Sequence, residues 1–271
     1  MSKTVRVTVY PADIATQELL VAELSESGFE GFEQKDTELD AFIEDVLFKE
    51  DIIQQLTGKY GLHYTVEYIN EQNWNALWES NFEPVQVNNF VAIRANFHPP
   101  VTEVEHEIII TPKMSFGTGH HATTFMMVEQ MQLLPFKHAS VFDFGTGTGI
   151  LSILAEKLGA TAITAIDNDD WSIDNARENF TTNHTERIRL FKADKPPEQG
   201  LFEIILANIN KHIILQNLSS LYSLLQKNGT LLVSGLLAAD EKDIQEYAVK
   251  TGLQHRKTVY RDQWIAMLFT A

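Results

Sequence analysis

The stretch Val141-Phe142-Asp143-Phe144-Gly145-Thr146-Gly147-Thr148-Gly149-Ile150-Leu151 constrains the fold of this chain more than any other. An apolar run leads into three glycines at alternate positions, and an apolar helical pattern follows at once. A strand that turns into a helix through glycines lets a ligand approach the backbone where helix N–H groups point outward. A dinucleotide-binding turn places its third glycine one residue later, as G-x-G-x-x-G. The tighter spacing Asp143-x-Gly145-x-Gly147-x-Gly149 therefore disfavours an NAD oxidoreductase.

The surrounding rhythm agrees with a strand-to-helix turn. From Thr123 onward, strands are expected at 140–144, 162–167, 188–192, 202–208 and 230–235. Helices are expected at 123–134, 150–158, 170–180, 213–225 and 240–251. Such alternation implies an α/β fold, a largely parallel sheet with helices on both faces. Two closing strands, 255–260 and 264–270, are near enough to form an antiparallel hairpin. The first seventy residues read differently, as β-α-β-β-α-β, the ferredoxin-like split pattern of a small α+β domain. Between them, 86–97 suggests a hairpin turning at Asn88-Asn89. Trp74 and Trp78, at i and i+4, suggest a packing anchor on a short helix. The expected domains are thus 1–70, a structured connector at 71–108, and 109–271.

Side chains at two strand ends carry the candidate chemistry. The strand after the glycine loop ends in Asp167, whose carboxylate can accept both hydroxyls of a ribose; the alternative is a helix N-cap ahead of Trp171. The next candidate is Asn208, at the tip of strand 202–208, where an amide carbonyl faces the cleft and can accept from an attacking amine. Asp194 could lie near an adenine, but Asp194-Lys195-Pro196-Pro197 also reads as an ordinary loop.

A second Phe-Gly-Thr-Gly, Phe116 to Gly119, precedes all of this. It lacks the strand-to-helix register, so it is not a repeat of the first. It reads either as a glycine-hinged flap over the same pocket or as a plain linker, with Thr123 or Thr124 capping the next helix. Adjacent His120 and His121 cannot face one site on a helix, so no metal is expected.

Composition narrows the partners. The net charge of −16 argues against a protein that tracks a phosphate backbone. Residues 1–70 carry 14 Asp+Glu against 5 Lys+Arg, a net of −9, which suits either a basic partner or a merely solvated acidic surface. There is no cysteine, no signal-peptide pattern and no apolar run of the ~20 residues a membrane span needs. A cytoplasmic location follows as the expectation.

The D-x-G-x-G-x-G turn resembles motif I of class I methyltransferases, which bind S-adenosylmethionine (SAM). The chain as a whole resembles one family among them, the PrmA-type methyltransferases of ribosomal protein L-eleven. The likeness rests on Phe116 to Thr124, Asp143 to Leu151, Asp167, Ala207-Asn208-Ile209 and the Asn73 to Trp78 connector. It implies a Rossmann-like class I sheet behind a ferredoxin-like substrate-recognition domain, and SAM-dependent methylation of lysine side chains and the N-terminal amine. By position it implies SAM contacts at Phe116, Thr124, Gly145, Gly147, Gly149, Asp167 and Asn208, with Asn208 also orienting the amine. Two departures stand near the amine entrance: His120 and Ala122 replace Thr and Pro, and Asn210-Lys211-His212 replaces smaller residues. Two other readings stay open, a SAM-dependent enzyme with another substrate and a non-catalytic SAM-binding protein.

Overall fold

The computed structural model describes residues 4–69, 83–113 and 119–271. The anchor expected at Trp74 and Trp78 and the residue Phe116 lie outside them. Two compact units divide the chain, Met1–Asn81 and Phe82–Ala271.

In the first unit, β1 (Thr4–Tyr10), α1 (Ile14–Glu26), β2 (Gly31–Gln34), β3 (Leu39–Glu44), α2 (Glu50–Tyr60) and β4 (His63–Ile69) follow one another. The four strands pair antiparallel in the order β2-β3-β1-β4. Strand alternation puts Val5, Val7 and Val9 on one face, where they bury with Leu20 and Leu24 of α1 and Ile53 of α2. Asp13 caps α1 by accepting from the Thr16 amide, and Gly61 closes α2 in the left-handed region at φ 67°.

The second unit opens with a three-stranded sheet, β5 (Val85–Val87), β6 (Val91–Ala95) and β7 (His106–Ile110). The expected hairpin forms around Asn88, at φ 51°. β7 then adds parallel to β6, a pairing the hairpin pattern did not announce. Arg94 and Glu107 face each other across this pair in a two-pronged ion pair with contacts of 2.8 and 2.9 Å.

Next come α3 (Ala122–Met131), β8 (Ser140–Phe144), α4 (Ile150–Lys157), β9 (Ala162–Asp167), α5 (Asp170–Thr182), β10 (Ile188–Lys192) and β11 (Phe202–Asn208). They are followed by α6 (Lys211–Ser223), β12 (Leu225–Leu237), α7 (Glu241–Thr251), β13 (Gln254–Arg261) and β14 (Trp264–Thr270). The seven strands order as β10-β9-β8-β11-β12-β14-β13, parallel up to β12 and antiparallel through the closing hairpin. β11 shows why both faces are covered. Ile204 and Leu206 join the apolar cluster under α3, α4 and α5, while Ile205 and Ala207 join the cluster under α6 and α7.

Two sequence expectations change. α3 is capped by His121, whose ring accepts from the Thr123 amide; Thr123 and Thr124 lie inside the helix, buried. β12 begins at Leu225, not Thr230, because Leu225 pairs with Phe202 before a register shift precedes the main ladder from Ile204 and Thr230.

Candidate active site

All four inner parallel strands, β9, β8, β11 and β12, point their carboxyl ends the same way, and the cleft opens beyond those ends, as parallel sheets dictate. It has a volume of about 530 Å³. Its lining follows the strand order from one side to the other. Asp194 stands after β10, Asp167 and Asn168 at the end of β9, and Gly145 and Gly147 after β8. Asn208 and Ile209 follow at the tip of β11, then Gly235 in β12 and Trp264 at the start of β14.

The glycine turn is held from both sides. The amides of Gly145 and Thr146 both donate to the Ile166 carbonyl at 2.9 Å, pulling the loop toward β9. Gly145, Gly147 and Gly149 all have positive φ, at 76°, 54° and 83°. A Cβ on Gly145 would stand 2.3 Å from Ile209 Cγ2, and one on Gly149 2.4 Å from the Phe180 ring. Gly145 and Gly147 line the cleft, whereas Gly149 sits behind it as the N-cap of α4.

Beneath the loop lies the Asp143 carboxylate, fully buried. One oxygen accepts from the Thr146 hydroxyl at 2.6 Å and the Ser152 hydroxyl at 2.7 Å. The other has no partner among the described residues. Burial pushes the carboxyl up to about 6; the two hydroxyls pull it down and the nearby Asp167 charge adds to the rise.

Asp167 is fixed by backbone donors, Gly147 N–H at 2.8 Å on one oxygen and Asp169 N–H at 3.1 Å on the other. The N-cap alternative falls away, since Asp169 caps α5 by accepting from the Ser172 amide. The Asp167 carboxylate is left facing the cleft, ready to accept further hydrogen bonds.

Asn208 is only 8% exposed. Its Nδ2 donates to the Thr124 hydroxyl at 3.2 Å, and its Oδ1 is buried with no partner among the described residues. An orphaned carbonyl at the tip of a cleft-facing strand is costly unless something completes it. Thr124 lines a small cavity behind the loop, shared with Gly145, Thr148 and Asn208, and not the main cleft. The structure thus brings Gly145, Gly147, Asp167 and Asn208 into one wall, with Thr124 and Gly149 supporting it from behind.

Several cleft residues had no signal in the sequence, and one had a weak one. Asp194 lies two residues beyond the end of β10, on the same edge as Asp167, and that position could have promoted it from a loop residue. Trp264 was hidden because β14 runs antiparallel, so its first residue reaches the cleft. Against it packs His121, edge to face at a centroid distance of 4.7 Å. His121 is thereby the described part of the Phe116 to Thr124 segment that enters the cleft wall. Ile209 is clasped between two glycines, because a Cβ on Gly235, at φ 84°, would meet the Ile209 carbonyl oxygen at 2.2 Å. Of the residues that depart from the family pattern, Asn210 caps α6 by accepting from the Ile213 amide, and Lys211 is paired with Asp240 and Asp243. Among the described residues, no group of three or more His, Asp or Glu side chains could hold a metal ion.

Comparison with known proteins puts this geometry in context. The family model described as ribosomal protein L11 methyltransferase (PrmA) matches residues 6–271. A ribosomal protein L11 methyltransferase of Porphyromonas gingivalis is 41% identical over 261 residues, covering 93% of this chain and 90% of its own. One from Phocaeicola vulgatus is 33% identical over 270 residues, covering 97% and 96%. Among solved structures, the ribosomal protein L11 methylase of Lactobacillus delbrueckii subsp. bulgaricus superposes with a TM-score of 0.65 at 29% identity. That match covers 69% of this chain and 98% of the other. A methyltransferase of Pyrococcus furiosus, at 17% identity and a TM-score of 0.52, shares the fold over 60% of this chain and 88% of its own.

Proposed function

Because the chain belongs to the ribosomal protein L11 methyltransferase (PrmA) family, we propose that it transfers methyl groups from SAM to amines of ribosomal protein L11. The acceptors are lysine side chains and the N-terminal amine. The observation that carries the reading is the buried, unpartnered Oδ1 of Asn208 beside an open cleft.

The residues present suit SAM. Asp167 keeps acceptor capacity for two ribose hydroxyls after its two backbone bonds. Asp194, two strands to one side of the glycine loop, suits the adenine end. Gly145 and Gly147 leave the backbone open to close approach. SAM supplies a methyl group on a sulfonium centre. Asn208 stands two strands from Asp167, about 10 Å at the usual strand spacing, which suits the reacting end.

The chain's own contribution is positioning and desolvation. Direct displacement needs a neutral amine, aligned and close. Lysine ordinarily titrates near pH ~10.4, so its charged form must be disfavoured. The apolar side chains of Phe144, Ile209, Ile213 and Trp264 in the wall supply that pressure. Asn208 Oδ1 would accept from the amine N–H and so aim its lone pair. No side chain is assigned as a general base; the amine proton leaves to water.

Residues 1–70, with a net charge of −9, are proposed as the docking surface for the basic substrate, and 71–108 as the connector to the catalytic domain at 109–271. A net charge of −16 supports a protein partner over a phosphate backbone. Among the described residues, no helix is long and apolar enough to cross a membrane, and the reading assigns the reaction to the cytoplasm, where ribosomal proteins are made.

The test is intact-mass spectrometry of recombinant L11 after incubation with the full chain and SAM. Mass gains in whole methyl-group steps are expected, absent with Asp167→Ala. Asn208→Ala is expected to bind SAM and lose about 10²-fold in turnover; unchanged turnover would sink its assigned role. No mass gain with SAM bound would discard L11, and no SAM binding would discard the methyltransferase reading altogether.

A further inference from the structure

α5 carries asparagine at 175 and 179 and is closed by Asn183, so one face shows Asn at every fourth position. Asn175 and Asn179 have no exposed surface. Asparagine is a poor choice inside a helix, and a buried amide needs partners on both of its ends. Partners on the strand and the loop explain the pattern, with one end, Asn175 Oδ1, left without a partner among the described residues. β7 lies at the edge of its three-stranded sheet, paired with β6 on one side only. Its other side meets α5.

Residues four apart on a helix are separated by about 6 Å along the axis. Residues two apart on a strand are separated by about 6.6 Å, and they offer N–H and C=O on the same edge. A face of asparagines at every fourth position can therefore stand in for a missing strand. Asn183 accepts from the Ile109 amide at 3.0 Å and donates to the Ile109 carbonyl at 2.6 Å. Two residues on, the Thr111 amide donates to Asn179 Oδ1 at 2.8 Å, and Asn175 Nδ2 donates to the Thr111 carbonyl at 3.0 Å. Glu178, on the neighbouring turn, accepts from the Thr111 hydroxyl and pairs with Lys113.

Asn179 differs from the other two. Its Nδ2 turns away from the strand and donates to the Thr148 carbonyl at 2.8 Å, inside the glycine turn. One side chain thus binds the strand end at Thr111 and the loop that faces the cleft. Neither Asn175 nor Asn183 makes a side-chain hydrogen bond to that loop.

We infer that Asn179 is a positioning residue for the cofactor loop, setting the glycine turn in its binding shape by tying Thr148 to the asparagine-bound edge of β7. The inference rests on the reading of the cleft as a SAM site. It makes the strand edge and the loop one mechanical unit, so that ordering the loop should be felt at Thr111.

Two alanine variants separate positioning from bulk stability. Asn183→Ala removes both bonds to Ile109 and a bond to the Asn179 carbonyl, none of them to the loop; Asn179→Ala removes one strand bond and the Thr148 bond together. SAM dissociation constants of full-length wild type and both variants are measured by calorimetry, with melting temperatures in parallel. Both variants are expected to melt earlier. Asn179→Ala should weaken SAM by about tenfold or more, the effect of orphaning one buried group, with Asn183→Ala within about twofold of wild type. Equal affinities in all three proteins, or equal losses in the two variants, overturn the inference. Wild type that does not bind SAM instead overturns the reading of the cleft, and the inference with it. Should Asn179→Ala not fold, amide exchange in wild type decides: SAM is expected to slow exchange at Thr111 more than at Ile109, and unchanged exchange at Thr111 overturns the coupling.

Discussion

Asp143→Asn isolates the energetic consequence of burying a carboxylate under the glycine loop. In the folded chain the carboxyl rises from the ordinary aspartate value of 3.8 to about 6. The folded state therefore binds more protons than the unfolded state between those values, and stability falls as pH rises through that window. At ~1.4 kcal/mol for each tenfold change in proton affinity, the rise corresponds to about 3 kcal/mol. That contribution is fully present below 3.8 and is lost as pH climbs past about 6. Asparagine keeps an acceptor for the Thr146 and Ser152 hydroxyls and removes the titration. It also places an amide where Asp143 has an unpartnered oxygen, a cost of ~1–3 kcal/mol that does not depend on pH. The quantity to measure is the stability of wild type minus that of Asp143→Asn, from urea unfolding of the unit containing the sheet. Other titrating groups are common to both proteins and cancel. The difference should fall by about 2.4 kcal/mol between pH 4 and pH 7.5, the rest of the change lying below pH 4. A change below about 1 kcal/mol would refute the argument, because the buried charge would then be compensated by partners not counted above.

Two further perturbations test the packing around the site. Gly149→Ala must adopt a left-handed conformation and drive its Cβ into the Phe180 ring, at a cost of about 2–5 kcal/mol. Calorimetric melting checks it, and Phe180→Ala in the same chain should recover the steric part and leave the conformational part. Arg94→Met strips Glu107 of the guanidinium that most strongly holds its carboxyl below the usual range against the opposing effect of burial. Breaking this part-buried pair should cost about 3 kcal/mol, read from the melting temperature, and Arg94→Met with Glu107→Gln should restore part of it. Equal losses in the single and double variants would show that the Arg94 bonds to the Ala95 and His98 carbonyls, and not the ion pair, set the cost.

Legibility in the sequence followed chain direction. Gly145, Asp167 and Asn208 were found because each sits at the carboxyl end of a parallel strand, and successive strand–helix units bring those ends to one edge. Trp264 follows the opposite rule, since an antiparallel strand presents its first residue there, and nothing local marks which strand is reversed. The cap of α3 was misassigned because Thr is the commoner cap, while here the His121 ring takes the Thr123 amide. The asparagines of α5 were silent for a different reason. Polar residues four apart read as a solvated helix face until an unpaired strand edge is known to lie against them. Asp143 was recognised as part of a motif, but its burial and elevated carboxyl depend on the hydroxyls of Thr146 and Ser152 closing over it.

The clasp around Ile209 bears on how mutational scans of this chain would be interpreted. Gly145 belongs to the glycine motif and Gly235 belongs to none, yet an added methyl group at either would collide with Ile209. A scan scored by turnover alone would rank both positions as intolerant, and would credit Gly145 to ligand contact and leave Gly235 unexplained. Scored by folding, the two should fail together. Residue 209 would then emerge as the shared obstacle, its side chain limiting variation at Gly145 and its backbone limiting variation at Gly235.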